Sequence, residues 1–431
     1  MLQNQQINEL IGVSEAYKAS DVLLEIMLDK KRRETTFQRF LALENDLSRD
    51  WFTDYFQTEH GDRDRLKQDY TPDGVLSVAT GLFGKMGDVA DICAGTGGLT
   101  IKAWTRNNGA FFHCEEIASR AIPFLLFNLA IRGMSAEVFH GDTLTQNYEH
   151  VYRITPAGQF SDIMEQSAII GNNRQFDSVI MNPPYSLTWQ PPANDTRFNT
   201  YGIPPKSKAD YAFVLHGLNM MKNDGKLVAI LPHGILFRSQ SEGQIREKIT
   251  RSGLLDGVIG LPDKCFLNTG IPVCLLILAK GQTDAIIIDA SKEYRKGSKQ
   301  NIIESENITH ILDAYRRRRK IEKFANIATL VEFEKNDFNL NIPRYVDTFV
   351  REPTEPLSKL LPELMQIEAE IRSRTKALCE TMANEIIGWK PEDMEAIRRW
   401  LESMTPQQKT FRKSLLSREL QKESNTQPEL F

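Results

Sequence analysis

Cysteine is scarce in this chain of 431 residues and is nowhere paired. Cys93, Cys114, Cys265, Cys274 and Cys379 are odd in number, sit mostly in apolar strand-like runs, and never form a C-x-x-C spacing. A disulfide framework or a zinc ribbon needs paired thiols at short spacing. The expectation is therefore reduced, buried thiols in a cytosolic protein, with no metal centre. Long apolar runs are missing too. No stretch reaches the length of a membrane span, and the Gln- and Asn-rich N-terminus has no apolar signal core. These absences predict a cytoplasmic protein without membrane contact. Charge of one sign is also lacking: 53 Lys and Arg stand against 57 Asp and Glu, a net charge of −4. A global basic footprint is thereby excluded, so any nucleic-acid contact must use local patches or a partner. There is no internal repeat.

The chain does have an ordinary globular composition, 41% apolar and 26% charged, and is long enough for one large α/β domain with smaller helical pieces. Residues 1–68 read as a helical, charged region, with Leu23, Leu24, Ile26, Met27 and Leu28 set between Lys and Glu. From about residue 69 strand-like runs alternate with helix-length segments. The strands are expected at Val89–Cys93, Ala110–Cys114, Ala136–His140, Phe176–Met181, Lys226–Leu231, Leu255–Leu261 and Val273–Ala279. Helices are expected at Ala118–Ile131, Tyr211–Met221 and Gly243–Arg251. This alternation implies an α/β fold with a Rossmann-like, doubly wound parallel sheet. The last two strands are close enough in sequence to pair antiparallel at one edge. Two stretches interrupt the pattern, 145–175 and Ser186–Ala209. The second holds Pro191, Pro192, Gly202, Pro204 and Pro205, and a loop of that length beside a site reads as a functional lid. Residues 346–431 turn helical again, with an apolar stripe (Leu357, Leu360, Leu361, Leu364, Ile367, Ile371, Leu378) near heptad spacing and a second charged stretch over 390–422.

Two motifs close strands of this sheet. Asp91-Ile92-Cys93-Ala94-Gly95-Thr96-Gly97-Gly98 ends one apolar strand in a glycine-rich turn, where open parallel sheets bind ligands. Glycine lets backbone approach a ligand and adopt positive φ. Glu115-Glu116 end the next strand, where a carboxylate can take both hydroxyls of a ribose; Glu116 is the candidate and Glu115 is expected to be solvated. Asp142, in Gly141-Asp142-Thr143-Leu144, is placed to accept from an adenine amino group. The bland alternative for Gly95–Gly98 is a structural turn. A dinucleotide is the rival ligand, but the glycines at 95, 97 and 98 miss the G-x-G-x-x-G spacing. S-adenosylmethionine, with one ribose and no phosphate, fits better.

The second motif, Asn182-Pro183-Pro184-Tyr185, closes the run Phe176–Met181. An aromatic amino nitrogen is a poor nucleophile because its lone pair is delocalised into the ring. Two acceptors aimed at its hydrogens favour pyramidal geometry and free that pair. The Asn182 amide oxygen and the Pro183 carbonyl can supply them, since proline adds no competing N–H. Tyr185 can stack on the ring. A base in duplex DNA must be flipped out to reach such a pocket. The alternative for this motif is a strand-terminating turn. Other candidates read less sharply. Arg316-Arg317-Arg318-Arg319-Lys320 can track phosphates, and a solvated helix face or an acidic partner accounts for it equally. Lys30-Lys31-Arg32-Arg33 reads as a solvated face, and His233 as structural.

With these residues in place, the chain resembles the modification subunits of type I restriction-modification systems, which are γ-class adenine-N6 DNA methyltransferases. The resemblance covers residues 69–345. Tyr70-Thr71-Pro72 is similar to the family's opening motif, which implies a role in holding the cofactor's methionine end. Asp91–Gly98 resembles its glycine-rich motif. Glu116, with a following helix that reaches Asn128-Leu129, matches the ribose-binding acid, and Asp142 with Thr143 and Leu144 the adenine-side segment. Asn182–Tyr185 matches the catalytic motif, with Asn182 also beside the cofactor. Asp195-Thr196-Arg197-Phe198, Tyr201-Gly202, Ala209–Phe213, Leu231–Phe237, Gly260-Leu261-Pro262, Thr269-Gly270-Ile271-Pro272 and Asn339-Leu340-Asn341-Ile342-Pro343-Arg344-Tyr345 complete it. The chain departs from the pattern in its short leading segment, in Asp73 where a basic residue is common, and in Ile92-Cys93-Ala94 in place of Pro-Ala-Cys.

What the resemblance implies is methyl transfer from S-adenosylmethionine to adenine N6 of a flipped base in DNA. Its partners would be a specificity subunit, a second modification subunit, and a restriction subunit in the full assembly. No base-reading module follows the last strand, which a separate specificity subunit would explain; residues 346–431 are then a partner-binding region. No nuclease motif occurs. Cytosine-N4, an RNA base and a protein glutamine remain alternative acceptors for this motif, and a non-catalytic methyltransferase-fold scaffold is the reading from another class.

Overall fold

The computed structural model of the chain describes residues 2–59, 70–84, 86–167, 174–267, 270–348 and 356–385, with 390, 392, 395 and 399. The chain divides into two units, Met1–Phe349 and Val350–Phe431.

The first unit begins with four helices, α1 (Asn4–Ile11), α2 (Ala19–Leu28), α3 (Lys30–Leu41) and α4 (Thr53–Glu59). Asp29 ends α2 and starts α3, its side chain accepting from the Arg32 amide at 2.9 Å. Then follow α5 (Asp73–Gly81), β1 (Val89–Ile92), α6 (Gly98–Trp104), β2 (Phe111–Glu116), α7 (Ile122–Ile131) and β3 (Ser135–Asp142). A hairpin of β4 (Asn147–Ala157) and β5 (Phe160–Ser167) precedes β6 (Phe176–Met181), α8 (Asp210–Met220), β7 (Met221–Pro232), α9 (Ser241–Arg251), β8 (Leu255–Gly260) and β9 (Val273–Ala279). After these come β10 (Asp284–Asp289), a small pair β11 (Arg295–Lys296) and β12 (Asn301–Ile302), α10 (Ser305–Arg317), β13 (Ala325–Thr329) and α11 (Leu330–Lys335).

Predominantly apolar strands inside a parallel sheet bury both faces. β1 and β8 are buried throughout and sit inside an 11-stranded sheet of order β13-β10-β8-β9-β7-β6-β1-β2-β3-β4-β5. Its centre (β3, β2, β1, β6, β7) is parallel. The chain runs outward from β1 to β3, then returns to lay β6 on the other side of β1, which creates a switch point between β1 and β6. β9 pairs antiparallel with β8, as expected, and with β7 as well. It is not at the edge, because β10 and the antiparallel β13 lie beyond.

The interrupting stretch 145–175 holds the β4–β5 hairpin. Most of β4 is exposed or half-buried, and polar side chains are mixed through it, so no apolar run and no clean period of two marks it. Gly158 turns the hairpin at φ 83°. The α7 sequence is apolar all round, and all ten of its residues are buried. One side lies on the sheet and the other is covered by the N-terminal helices through an aromatic cluster. Phe127 meets Phe37, Phe40 and Phe52 at 4.7–5.0 Å between ring centroids, mostly edge-on. Arg33 corrects the reading of 30–33 as a solvated face. It is 2% exposed, donates to the Met27 carbonyl at 2.6 Å and to Asp162 Oδ1 at 3.1 Å on β5.

In the second unit, α12 (Leu357–Glu385) is a 29-residue helix. Its predicted stripe is exposed, from 43% at Leu360 to 58% at Leu357. The charged stretch expected over 390–422 lies outside the described residues except for 390, 392, 395 and 399, as do Thr269 and the side chain of Cys379. Among the described residues no helix is long and apolar enough to cross a membrane.

Candidate functional site

Sheet register builds the site. Ile92 at the end of β1 pairs with Met181 at the end of β6 and with Glu115 on β2. Glu116 pairs with His140, two residues before Asp142. Four chain segments therefore leave the same edge of the sheet side by side. They enclose one cleft, walled by Cys93, Ala94, Gly95 and Gly98 from the first loop, Glu115 and Glu116, Asp142 and Thr143, and Asn182–Tyr185. Tyr70 and Thr71 close one side, Leu187 and Phe213 another. Of the residues singled out in the sequence, Pro72, Asp91, Thr96, Gly97 and Leu144 stand behind this wall rather than in it.

The glycine-rich turn needs its glycines. Gly95 is at φ 59° and Gly97 at φ 99°, and a Cβ on Gly97 would meet Leu125 at 2.9 Å. Cys93 holds φ 67° without being glycine, a strained conformation of the kind that collects at functional turns. Glu116 grips the turn: its Oε2 accepts from the Gly95 amide and its Oε1 from the Ala118 amide, both at 2.7 Å. Burial pushes Glu116 above the ordinary carboxylate range, and those amides restrain the shift. Asp91 is wholly buried under the turn, with Thr100 Oγ1 at 2.5 Å on one oxygen and no protein partner on the other among the described residues. Burial raises its pKa to about 7.

Glu115 is the clear correction. Instead of being solvated it is 2% exposed, with His113 Nε2 at 3.0 Å and His216 Nε2 at 3.1 Å. Burial pushes its pKa up, but His216 and His113 outweigh that and hold it well below the usual range. His216 Nδ1 in turn lies 2.8 Å from Arg197 Nη1. The Arg197 guanidinium, buried, donates to the carbonyls of Thr143 and Leu144 and to Asp195. Arg197 thus ties the Ser186–Ala209 loop to the Asp142 segment and to β2. Trp189, 5% exposed, packs on Phe198 and donates to the Pro205 carbonyl at 3.0 Å. The loop expected to act as a lid is fastened, not free.

At the Asn182-Pro183-Pro184-Tyr185 turn, Asn182 Nδ2 donates to Thr71 Oγ1 at 2.8 Å, and the Tyr185 hydroxyl donates to Asn182 Oδ1 at 2.9 Å. These contacts fix the amide with its oxygen toward the tyrosine. Asp210, wholly buried at the start of α8, accepts from the Ser186 amide and from Arg238, both at 2.8 Å, and so anchors the chain directly after Tyr185. Among the described residues the wall of the cleft carries three carboxylates, Glu115, Glu116 and Asp142, and no basic side chain. Such a wall suits a cationic ligand bearing hydroxyls and disfavours a phosphate. The positive-φ cradle at Gly95 and the buried Tyr70 hydroxyl fit the sulfonium nucleoside expected from the sequence.

Sequence reading missed the contribution of residues 47–53. Asp50 Oδ2 accepts from Thr96 Oγ1 at 2.5 Å, its Oδ1 from Asn128 at 2.8 Å, and Thr53 lines the cleft. No motif marks Asp50; only its place ahead of an aromatic-rich helix, in Asp50-Trp51-Phe52-Thr53, could have flagged it. The basic run at 316–320 is largely committed internally: Arg318 pairs with Asp256 and Asp284 at 2.6 Å, Arg317 with Asp313, and Arg316 reaches the Gly81 carbonyl. His233 bonds the Val273 carbonyl at 3.0 Å, in keeping with a structural role. Within the string Asn339–Tyr345, Leu340, Ile342 and Tyr345 pack in the core, and Arg246 of α9 binds the carbonyl of the preceding Phe338 at 2.6 Å. A cluster of His140, Glu149 and His150 lies on β3 and β4, outside the cleft, with His150 held by Glu165 at 2.6 Å.

A parallel sheet with its switch point between β1 and β6, a glycine-rich loop after the first strand and Asn-Pro-Pro-Tyr after the other, is a doubly wound methyltransferase sheet. Within that class a sequence model of the N-6 DNA methylase family matches residues 50–353, and the chain belongs to this family. It is 25% identical over 323 residues to the MpnII type I restriction enzyme methylase subunit of Mycoplasma pneumoniae, covering 70% of this chain and 57% of that protein. With the MjaVII methylase subunit of Methanocaldococcus jannaschii it shares 28% over 346 residues, 74% of this chain and 55% of the other. The chain thus spans a little over half the length of these curated relatives. Among solved structures, the type I restriction-modification methyltransferase subunit of Streptococcus thermophilus is 31% identical, with a TM-score of 0.61 over 80% of this chain and 76% of that one.

Proposed function

We propose that the protein transfers a methyl group from S-adenosylmethionine to adenine N6 in DNA, in the cytoplasm, as the modification subunit of a type I restriction-modification assembly. The observation that carries this reading is the single cleft onto which Asn182–Tyr185 and the Gly95, Glu116 and Asp142 segments all face, lined by carboxylates and no cation. Bound there, S-adenosylmethionine would supply an electrophilic methyl group. Glu116, held by two amides, would take the ribose hydroxyls, Asp142 and Thr143 the adenine side, and Tyr70 and Thr71 the methionine end. Asn182 Oδ1 and the Pro183 carbonyl would accept the two hydrogens of the target amino group and leave its lone pair free to attack. The Tyr185 hydroxyl sits on that oxygen now. An entering base must share the acceptor with it or displace it, after which the ring can stack. Proximity and alignment supply much of the acceleration.

We assign residues 1–68 to an N-terminal helical region, 69–345 to the methyltransferase domain and 346–431 to partner binding. The partners are DNA with a flipped adenine, a specificity subunit and a second modification subunit, with a restriction subunit joining them. Similarity to proteins named methylase subunits supports targeting by a separate chain. The test is base-resolved mapping of modified adenines in a methylation-free host expressing the chain alone and with its specificity subunit. N6-methyladenine at one defined motif only on co-expression is the expected result. No methylation in either case, with cofactor binding intact, would redirect the search to RNA or protein glutamine. Asn182→Ala should bind cofactor normally and lose at least about a hundredfold in methyl transfer, the scale set by removing an aimed polar group. Unchanged turnover in that variant would remove Asn182 from the chemistry.

A further inference from the structure

The segment that leads into α4 makes more contacts to the glycine-rich turn than packing of a neighbouring helix requires. Asp50 fills its acceptor capacity with four donors: Thr96 Oγ1 at 2.5 Å and Thr53 Oγ1 at 2.8 Å on Oδ2, and Asn128 Nδ2 at 2.8 Å and the Phe52 amide at 2.9 Å on Oδ1. Asn128, wholly buried in α7, also donates to the Thr96 carbonyl at 2.8 Å, so both the backbone and the side chain of Thr96 are held. Arg132, one turn on, is 6% exposed and binds the carbonyls of Leu47 at 2.8 Å and Arg49 at 2.6 Å, while Nη1 reaches the Asn128 carbonyl at 2.7 Å. Burial lowers Arg132 to about 10, offset by Asp50 and Asp46, so it remains a cation at neutral pH. A buried cation, an amide and a carboxylate thus clasp residues 47–50 to the middle of the Gly95-Thr96-Gly97 turn. Directly after Asp50, the Trp51-Phe52-Thr53 corner puts Thr53 into the wall of the cleft itself.

We infer that this N-terminal segment is part of the cofactor site, with Thr53 a wall residue and Asp50 the positioning residue that sets the glycine-rich turn. The inference rests on the reading of the cleft as an S-adenosylmethionine site. Freed from Asp50, Thr96 loses an anchor that fixes the direction of the Gly95 amide, and Glu116 is then gripped by a looser turn. Cofactor affinity falls, while the Asn182 motif, on a different strand, keeps its geometry.

Isothermal titration with S-adenosylmethionine on the full chain tests this, using Asp50→Ala, the isosteric Asp50→Asn and, as comparator, Ser20→Ala. Ser20 bonds the Arg120 carbonyl at 3.0 Å and fastens the N-terminal helices without touching the clasp. The expected result is a Kd raised at least tenfold in Asp50→Ala, and several-fold in Asp50→Asn, with Ser20→Ala within twofold of the parent. In the methylation assay Asp50→Asn should raise KM for the cofactor and leave kcat at saturation within about twofold, a split that mere loss of stability would not produce. Should Asp50→Ala fail to fold, Asp50→Asn decides. Normal cofactor affinity in the folded Asp50 variants overturns the inference alone. Absence of binding by the parent chain overturns the cofactor reading and this inference with it.

Discussion

Asp91 lies wholly buried, with its pKa raised by burial from 3.8 to about 7. The folded chain therefore holds this proton more tightly than the unfolded chain does. Its contribution to stability is full below about pH 4 and is lost as pH rises through about 7. Glu115 acts in the opposite sense: His216 and His113 hold it below its ordinary range, so its contribution is present above that range and lost as the pH falls. A comparison with Asp91→Asn separates the two. Urea unfolding between pH 4 and 8 should find the parent losing stability relative to Asp91→Asn as pH increases; a relative gain would contradict the buried, proton-holding state. Neither environment was readable in the residues themselves. Asp91-Ile92 and Glu115-Glu116 both end apolar strands, and nothing local distinguishes the glutamate that turns toward two histidines from the one that turns toward the Gly95 amide.

Strands and loops differ in how plainly they were written. β1, β6 and β9 are short apolar runs and fall where the pattern places them. β4 and β5 mix charged and polar side chains among their apolar ones, and β10, α10 and β13 lie beyond the last strand that the alternation predicts, so none of these is among the expected elements. The Ser186–Ala209 loop was foreseen as a loop but not as an anchored one. Arg197 gives the reason, since one buried guanidinium satisfies the carbonyls of Thr143 and Leu144, Asp195 and His216 together. Arg197→Met should cost about 3–5 kcal/mol, because Asp195 and the carbonyls are left buried without their cation. Chemical denaturation would measure the loss, and limited proteolysis should find new cleavage between 186 and 209. A loss below about 1 kcal/mol, the scale of an exposed pair, would mean that the network carries no such weight.

For the molecule as a whole, the first unit sets its candidate cleft at the switch point, while α12 of the second unit leaves Leu360, Leu361, Leu364 and Ile367 at 43–55% exposure. An apolar stripe of that extent is characteristic of an interaction surface. Within the proposed assembly, Leu360→Glu with Leu364→Glu should abolish co-purification with the specificity subunit and leave S-adenosylmethionine binding by the chain unchanged. Pull-down and titration on the same preparation would check both halves. Retained co-purification would place the docking surface elsewhere.

Local sequence by itself determined the parallel centre of the sheet, the two loops that follow β1 and β6, and most of the residues that wall the cleft. Strand periodicity, glycines at positive φ and an Asn-Pro-Pro-Tyr turn are properties of neighbours along the chain, and they survive reading in one dimension. Tertiary structure alone decided what lies behind that wall. Asp50 meets Thr96 across 46 residues, His216 meets Glu115 across 101 and Arg132 meets Arg49 across 83. Contacts of that range leave no spacing to read. They exist because α7, apolar on every side, had to be covered by helices from the N-terminus, and because a buried carboxylate or guanidinium must find partners wherever the fold provides them.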